Sequence, residues 1–379
     1  MKSSAARIAS MIVLSVSFVH AQRLVVTPTA LTFNATADIA SAPSQTVTVT
    51  STGIDVPFWT FPSTVFSNVG PGSSFPVFAA VSPSSGMTPA TLTLSLIDTR
   101  EVKTLRPGTY QSGIYFSQSP TLDLSANYTY TGVYLQLVAP PPTVVSGIVN
   151  AATLQPGPVA PGEIVSIFGA NLASPFGSLT LRESYPPAGT TWTASLSSGG
   201  PLPQLFASPS QLNAIIPFGI AGRPAMDFQI VHFASRGIGA TQAVTDTSPG
   251  IFTLTQTGNG QGAILNSDNS VNGIEHPAKS GSIVQIFGTG AGLMNPPQSD
   301  GVLYVPPRPP FLFPVAHTSV SIGGKPATLT YVGAAPNLVV GVLQVNAVIP
   351  DGIGPGPQPV VLTIGSNSNS NQLVTVFVQ

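Results

Sequence analysis

The side chains able to do chemistry in this 379-residue chain are few and scattered. Apart from His20 the histidines are His232, His276 and His317, and no two of them fall on one strand face or one helical turn. Metal ligation needs ligands clustered at short spacing, so no metal site is expected. There is no cysteine, which excludes disulfides, thiolate nucleophiles and cysteine metal sites. No G-x-S-x-G elbow occurs. Gly288-Thr-Gly290-Ala-Gly292 follows a strand-like run, but Pro296 and Pro297 leave no helix whose N-terminus would hold a pyrophosphate. The segment Asn266 to Gly273 spaces oxygen ligands alternately, as calcium loops do, yet has one carboxylate and Val271 where a sharp turn wants glycine. A hairpin turn between Ile264 and Val271 is the expectation. Two of the 13 acids facing each other across a cleft would make a glycosidase. They stand singly in no hydrolase context, so no catalytic residue and no cofactor are assigned.

Aromatic rings are the better ligand candidates, because sugars and apolar groups bind flat π faces through buried area. Trp59, in Phe58-Trp59-Thr60-Phe61, has two readings. The preferred one places it in a sandwich core, as Ig-type domains commonly do; the other turns it outward. Tyr128 and Tyr130 put two rings on one strand face, and Trp192 stands among Thr and Ser, partly exposed. These four are the ligand-binding candidates.

The elements that must position them are short strands. In Gln45-Thr-Val-Thr-Val-Thr50 valines and threonines alternate, the period-2 pattern of a half-buried strand. Thr91 to Leu96 and Val133 to Leu137 repeat it. The 37 glycines and 39 prolines are spread along the chain as turns, and no dozen residues free of them show helical periodicity. Many short strands with regular turns mean sandwiches or barrels.

Lys2 and Arg7, the apolar run Ile8 to Val19 and the small residue Ala21 form a signal-peptide pattern with cleavage expected after Ala21. The run is well short of the roughly 20 residues that span a bilayer, and no later segment is apolar enough. Removing Lys2 and Arg7 from the 12 basic residues leaves 10 against 13 acidic, a formal charge near −3. Nothing there attracts nucleic acid. Charged residues are 7% of the chain, yet a hydrophobic fraction of 42% argues against disorder. The expected product is secreted or held at the cell surface, with a surface of Ser, Thr, Asn and Gln.

Ala139-Pro-Pro-Pro-Thr143 reads as a stiff linker. Beyond it the chain repeats itself. Gln211-Leu-Asn-Ala-Ile-Ile-Pro217 returns 133 residues later (211 to 344) as Gln344-Val-Asn-Ala-Val-Ile-Pro350. Glu163-Ile-Val-Ser-Ile-Phe-Gly169 returns as Ser282-Ile-Val-Gln-Ile-Phe-Gly288 after 119 residues (163 to 282), so the second copy carries about 14 extra residues. Val305-Pro-Pro-Arg-Pro-Pro-Phe311 lies in that interval. Leu212, Ala214 and Ile216, like Val345, Ala347 and Ile349, form the core face of the repeated strand. Gln211, Asn213 and Ile215, like Gln344, Asn346 and Val348, form the other. The paired amides are either solvent-facing, the commoner case, or hydrogen-bonded to the neighbouring repeat, fixing the angle between copies.

Val26-Thr-Pro-Thr-Ala-Leu-Thr-Phe33, Val81-Ser-Pro-Ser-Ser-Gly-Met-Thr-Pro-Ala-Thr-Leu92 and Leu105-Arg-Pro-Gly-Thr-Tyr110 resemble the BACON domain family of Ig-like sandwiches. Phe75-Pro-Val-Phe78 stands where that family usually has a Trp-Leu pair. The resemblance implies an Ig-like fold and, from the domain contexts of that family, carbohydrate binding. From Val145 to Gln379 the chain resembles the Solibacter uncharacterised C-terminal domain family, through Gly147-Ile-Val-Asn-Ala-Ala152, Pro161 to Asn171, Ser248-Pro-Gly-Ile-Phe252, Gly260-Gln-Gly-Ala-Ile-Leu-Asn266 and Gly333-Ala-Ala-Pro336. Its halves are similar to IPT/TIG modules, which bind, connect or present.

The expected architecture is all-β: a signal peptide (1–21), a BACON-like Ig sandwich (22–138), a Pro-rich linker (139–146) and two Ig/TIG-like repeats (147–256 and 257–379). The expected function is non-catalytic binding or adhesion with extracellular glycan as the leading ligand class. The alternatives are docking onto a cell-envelope protein assembly and, more remotely, hydrolysis.

Overall fold

A computed structural model describes residues 22–37, 41–63, 65–67, 74–75, 77–99, 102, 105–125, 128–173, 193–197, 200–232, 235–236, 239–305 and 311–379. Residues 1–21, expected above to be a signal peptide, and Trp192 lie outside these residues. The chain is built of strands and forms two compact units. The first draws on the strands before Ala35, Ser41–Val102 and Gly108–Gln136, and the second on Leu137–Gln379.

The first unit is one sandwich. Its smaller sheet orders Leu24–Thr27, Gln45–Ser51, Ala90–Leu96 and Ala79–Ser82; the larger orders Ala30–Thr36, Tyr128–Val138, Gly108–Ser117, Pro57–Pro62 and Ser85–Met87. Val47 and Val49 point inward with Thr46 and Thr48 outside, as the alternation predicts. They meet Phe33, Phe58, Leu92, Leu94, Phe116 and Leu135 in the core. Trp59 is not among them. Phe58 fills the core position and Trp59 is half-buried on the outer face, which corrects the preferred reading of that ring.

The second unit holds two sandwiches. In the first, Val144–Asn150, Ile164–Ala170, Gln211–Ile215 and Gln204–Ala207 face a sheet centred on Thr193–Ser197 and Ala225–His232. In the second, Gly250–Ile251, Ile283–Thr289, Leu343–Val348 and Leu329–Ala334 face Val374–Val378, Gly356–Ile364 and Thr318–Ile322. The strand Gly250–Ile251, which the sequence assigns to the first repeat, pairs with Ile283–Thr289 of the second sandwich. Val144–Asn150 likewise begins inside the stretch read as linker, and Thr143 is buried with its hydroxyl donating to the Ile230 carbonyl at 3.0 Å.

The duplicated strand packs as its period requires. Leu212, Ala214 and Ile216 in one copy and Val345, Ala347 and Ile349 in the other are all buried. Its opposite face behaves differently in the two copies. Ile215 is wholly buried in a cluster with Ile164 and Val339, against Ala151, Leu205, Phe252 and Val342, because the second repeat packs on it. Removing one such side chain from water contributes roughly 1.5–3 kcal/mol.

Candidate functional site

Two places in the molecule collect side chains able to hold a ligand, one in each compact unit. The first is the outer face of the larger N-terminal sheet. In Pro57–Pro62, burial of Phe58 and Thr60 turns Trp59 and Phe61 outward. The neighbouring strand Gly108–Ser117 places Tyr115 opposite Phe61 and Ser117 opposite Trp59. On the next strand, Tyr128, Tyr130 and Tyr134 share the same outward parity.

Three of these rings, Tyr115, Tyr128 and Tyr130, form a connected cluster. Tyr115 lies 5.3 Å from Tyr128 at 70° and 5.1 Å from Tyr130 at 52°, edge-on and tilted geometries that suit the aromatic quadrupole. The Tyr130 ring lies over Gly113, where an added Cβ would come within 1.9 Å of it. Glycine is therefore required there by close approach. The Tyr130 hydroxyl donates to the Ser112 carbonyl at 3.0 Å, and burial pushes that hydroxyl's pKa up. Tyr130 is thus fixed against the sheet, whereas Tyr128 is 45% exposed at its edge. The structure brings three of the four candidate rings, Trp59, Tyr128 and Tyr130, to one face and adds Phe61, Tyr115 and Tyr134. Sequence reasoning missed Tyr115, although the alternation of Gly108–Ser117 carried the signal.

The second place lies between the two repeats. Asn150, Glu163 and the Thr245–Pro249 crossover meet the Asn367–Gln372 hairpin around a cleft of about 490 Å3. Glu163 is 1% exposed. Its Oε2 accepts from the Ala160 amide at 2.7 Å and its Oε1 from the Ser248 hydroxyl at 3.2 Å. Burial pushes its carboxyl up to about 8, outweighing these hydrogen bonds and one from Asn150. Asn150 Nδ2 donates to the Ser248 carbonyl at 2.9 Å, and its Oδ1 accepts from the amides of Ala152 and Thr153. Gln372 crosses between copies, donating to the carbonyls of Ala152 at 3.0 Å and Ile251 at 2.7 Å. Thr289 does the same, accepting from Ile164 N–H at 2.9 Å and donating to the Gly341 carbonyl at 2.8 Å.

The amides nominated for that bridging are not the ones that bridge. Gln211 Nε2 donates to Asn213 Oδ1 at 2.9 Å, and Gln344 Nε2 to Asn346 Oδ1 at 2.9 Å and Gln285 Oε1 at 3.2 Å. All these bonds stay within one repeat. The physical reason is register: residues two apart on a strand face reach each other before they reach a neighbour. The one available sequence signal for the true contact was the pairing of Glu163 with Ser282 across the repeat.

The Asn266 to Gly273 segment closes as a hairpin through the Leu265–Val271 bridge. Asp268 accepts from Ser270 Oγ at 2.6 Å and Ser270 N–H at 2.9 Å, which holds its carboxyl below the usual value. Among the described residues no three His, Asp or Glu side chains converge. No helix among them is long and apolar enough to cross a membrane.

No family model and no curated protein matches the chain. Among solved structures it is similar to the SGBP-B of the Bacteroides ovatus mixed-linkage glucan utilization locus, in complex with a mixed-linkage heptasaccharide, at 14% identity and a TM-score of 0.29. That match covers 92% of this chain and 65% of the other. It is also similar to invasin, a bacterial integrin-binding protein, at 8% identity and a TM-score of 0.26, over 94% and 60%. Dpr2 Ig1-Ig2 in complex with DIP-Theta Ig1-Ig3 is matched at 11% identity and a TM-score of 0.17, over 93% and 99%. Likenesses this low carry no argument about the site.

Proposed function

We propose that the protein is an exported, non-catalytic binding or adhesion module whose N-terminal sandwich takes glycan on its aromatic face. The observation that supports this reading is the gathering of Trp59, Phe61, Tyr115, Tyr128 and Tyr130 on one sheet face, half-buried to exposed. Rings held by strand pairing offer π surface to the C–H faces of a sugar at little entropic cost, and the tyrosine hydroxyls offer polar contacts at the rim. The BACON-like and TIG-like assignments, cleavage after Ala21 and a secreted or surface location belong to the same proposal. N-terminal sequencing of the exported chain tests the cleavage.

A glycan array and an insoluble-polysaccharide pulldown test the ligand. Trp59→Ala and Tyr128→Ala are expected to weaken binding about tenfold each while retaining the thermal melt, since one well-placed ring is worth about 1–2 kcal/mol. Thr32→Ala, at an exposed position on the same sheet, should leave binding unchanged. Failure to bind any glycan would sink this ligand class.

A second reading, docking onto a larger envelope assembly, is favoured by a different observation. In the second repeat Leu303, Val305, Phe311, Phe313 and Val315 are all exposed, and Phe311 and Phe313 pack 6.2 Å apart, each 6.4 Å from Tyr331. The exposed Phe311 and Phe313, gathered with Tyr331, are apolar surface that suits a protein partner. Crosslinking on intact cells, with Phe313→Ser as the variant, separates the two readings.

A further inference from the structure

The inter-repeat cleft is built differently from the aromatic face, and beneath it lies a buried carboxyl with no counterpart in the second repeat. Glu163 occupies a tight turn that the second repeat forms with Ser282. Gly162 and Gly281 take φ of +71° and +76°, and the backbone carbonyls of Glu163 and Ser282 accept from Ile216 and Ile349 at 2.8 and 2.9 Å. Ser282 completes its turn with a hydroxyl bond to the Lys279 carbonyl at 2.6 Å. The second repeat therefore closes its turn without a carboxyl, whereas in the first the Glu163 carboxyl takes the Ala160 N–H of the turn and the Ser248 hydroxyl beside the cleft.

The walls define what would fit. Among the described residues, no Lys, Arg, His or Asp lines the cleft. Asn150, Asn369 and Gln372 are committed to internal hydrogen bonds, but the side chains of Gln155, Ser368 and Asn371, which also line it, make none within the described structure. Amides and hydroxyls both donate and accept, as alcohol groups do. Pro156, Pro158 and Val159 supply an apolar wall for the C–H face of a ring. The volume of about 490 Å3 is within the usual range for small-molecule sites.

We propose that this cleft is a second binding site, for an uncharged molecule bearing several hydroxyl groups and of the size of one or two sugar rings. It is independent of the aromatic face, lies in the other compact unit, and stands whether or not that face takes glycan. The Glu163 carboxyl lies beneath the cleft floor, 1% exposed, with both oxygens held by the Ala160 N–H and the Ser248 hydroxyl, so the groups open to a ligand are the side chains of Gln155, Ser368 and Asn371.

Saturation-transfer NMR and calorimetry on the full chain, with glucose, galactose, N-acetylglucosamine, maltose, cellobiose and inositol as probes and glucuronate and glucosamine as charged controls, test this. At least one neutral probe should bind and neither charged control should. Gln155→Ala and Asn371→Ala, both at exposed positions, should weaken binding about three- to tenfold each, the worth of one hydrogen bond. Trp59→Ala and Tyr128→Ala should leave it intact. No neutral binder, preference for a charged control, or binding untouched by both Gln155→Ala and Asn371→Ala would overturn the proposal.

Discussion

The two repeats bend the chain through the same glycine turn and into the same core strand, yet equivalent side chains end in opposite environments. Glu163 is buried where Ser282 is half-buried; Ile164 and Ile215 are buried where Ile283 and Val348 are half-buried. The inward face is alike in both copies because it meets only its own sandwich. The outward face differs because the first copy receives the second on it, whereas the corresponding face of the second copy stays partly open. A repeated sequence therefore repeats its core but not its surface chemistry, and the duplicated strand tells an interface from a free face only by what is packed against it.

The largest expected effect that would break this comparison is on Glu163. An unfolded carboxyl titrates near 4.5 and the buried one near 8. Between these values the folded chain keeps a proton that the unfolded chain has lost. The stability tied to the neutral carboxyl is thus fully present below about pH 4.5 and lost as pH rises to about 8, on the order of 5 kcal/mol in all. Glu163→Gln should flatten that slope and exceed the parent in stability at pH 9, measured by urea unfolding at pH 5, 7 and 9. Ser282→Glu, at the half-buried equivalent, should add less than about 1 kcal/mol of pH dependence. Equal slopes in both copies would mean that the neighbouring repeat does not desolvate Glu163.

Next in size is the apolar side of the same contrast. Ile215→Ala should cost about 2–4 kcal/mol and Val348→Ala less than about 1.5, because only the first leaves a cavity beneath a docked repeat. Chemical denaturation of the two variants gives the difference directly. Substitution of the turn glycines sharpens the comparison further. Gly281→Ala meets open space and should cost only the positive-φ strain of about 1 kcal/mol, whereas at Gly162 a Cβ would sit 2.5 Å from the Phe218 ring and the cost should be larger. The smallest effect belongs to the paired amides. Gln211→Ala and Gln344→Ala should each cost less than about 1 kcal/mol and by similar amounts, since their bonds stay within one repeat. A marked excess for Gln211 would return it to the interface.

The strands were legible because their signal is local. Val47 and Val49, Leu212 and Ala214, and Val345 and Ala347 declare their inward face by alternation alone. Trp59 was not legible for the same reason reversed: Phe58, Trp59 and Phe61 put aromatic rings on both parities of one strand, so period 2 does not choose between them. The face was chosen by the opposing sheet, which accepted Phe58. Tyr128 and Tyr130 could be nominated as a pair, but their ring partner Tyr115 comes from another strand, and pairing between strands is not written in either one. Trp192 lies outside the described residues, so its nomination rests on sequence alone.

From its own residues the chain determines an all-β architecture, a duplicated core and a lack of cysteine chemistry, because side-chain period, turn residues and composition act over a few positions. Tertiary structure alone decided that Trp59 faces outward, that Ile215 is interface, and that Glu163 is a buried carboxyl flooring a cleft with Ser248 and Gln372. Those outcomes depend on desolvation by segments far away in the chain, as in the bond from Gln372 to Ala152 across 220 residues. Desolvation is set by what packs on a residue and not by its neighbours in the chain.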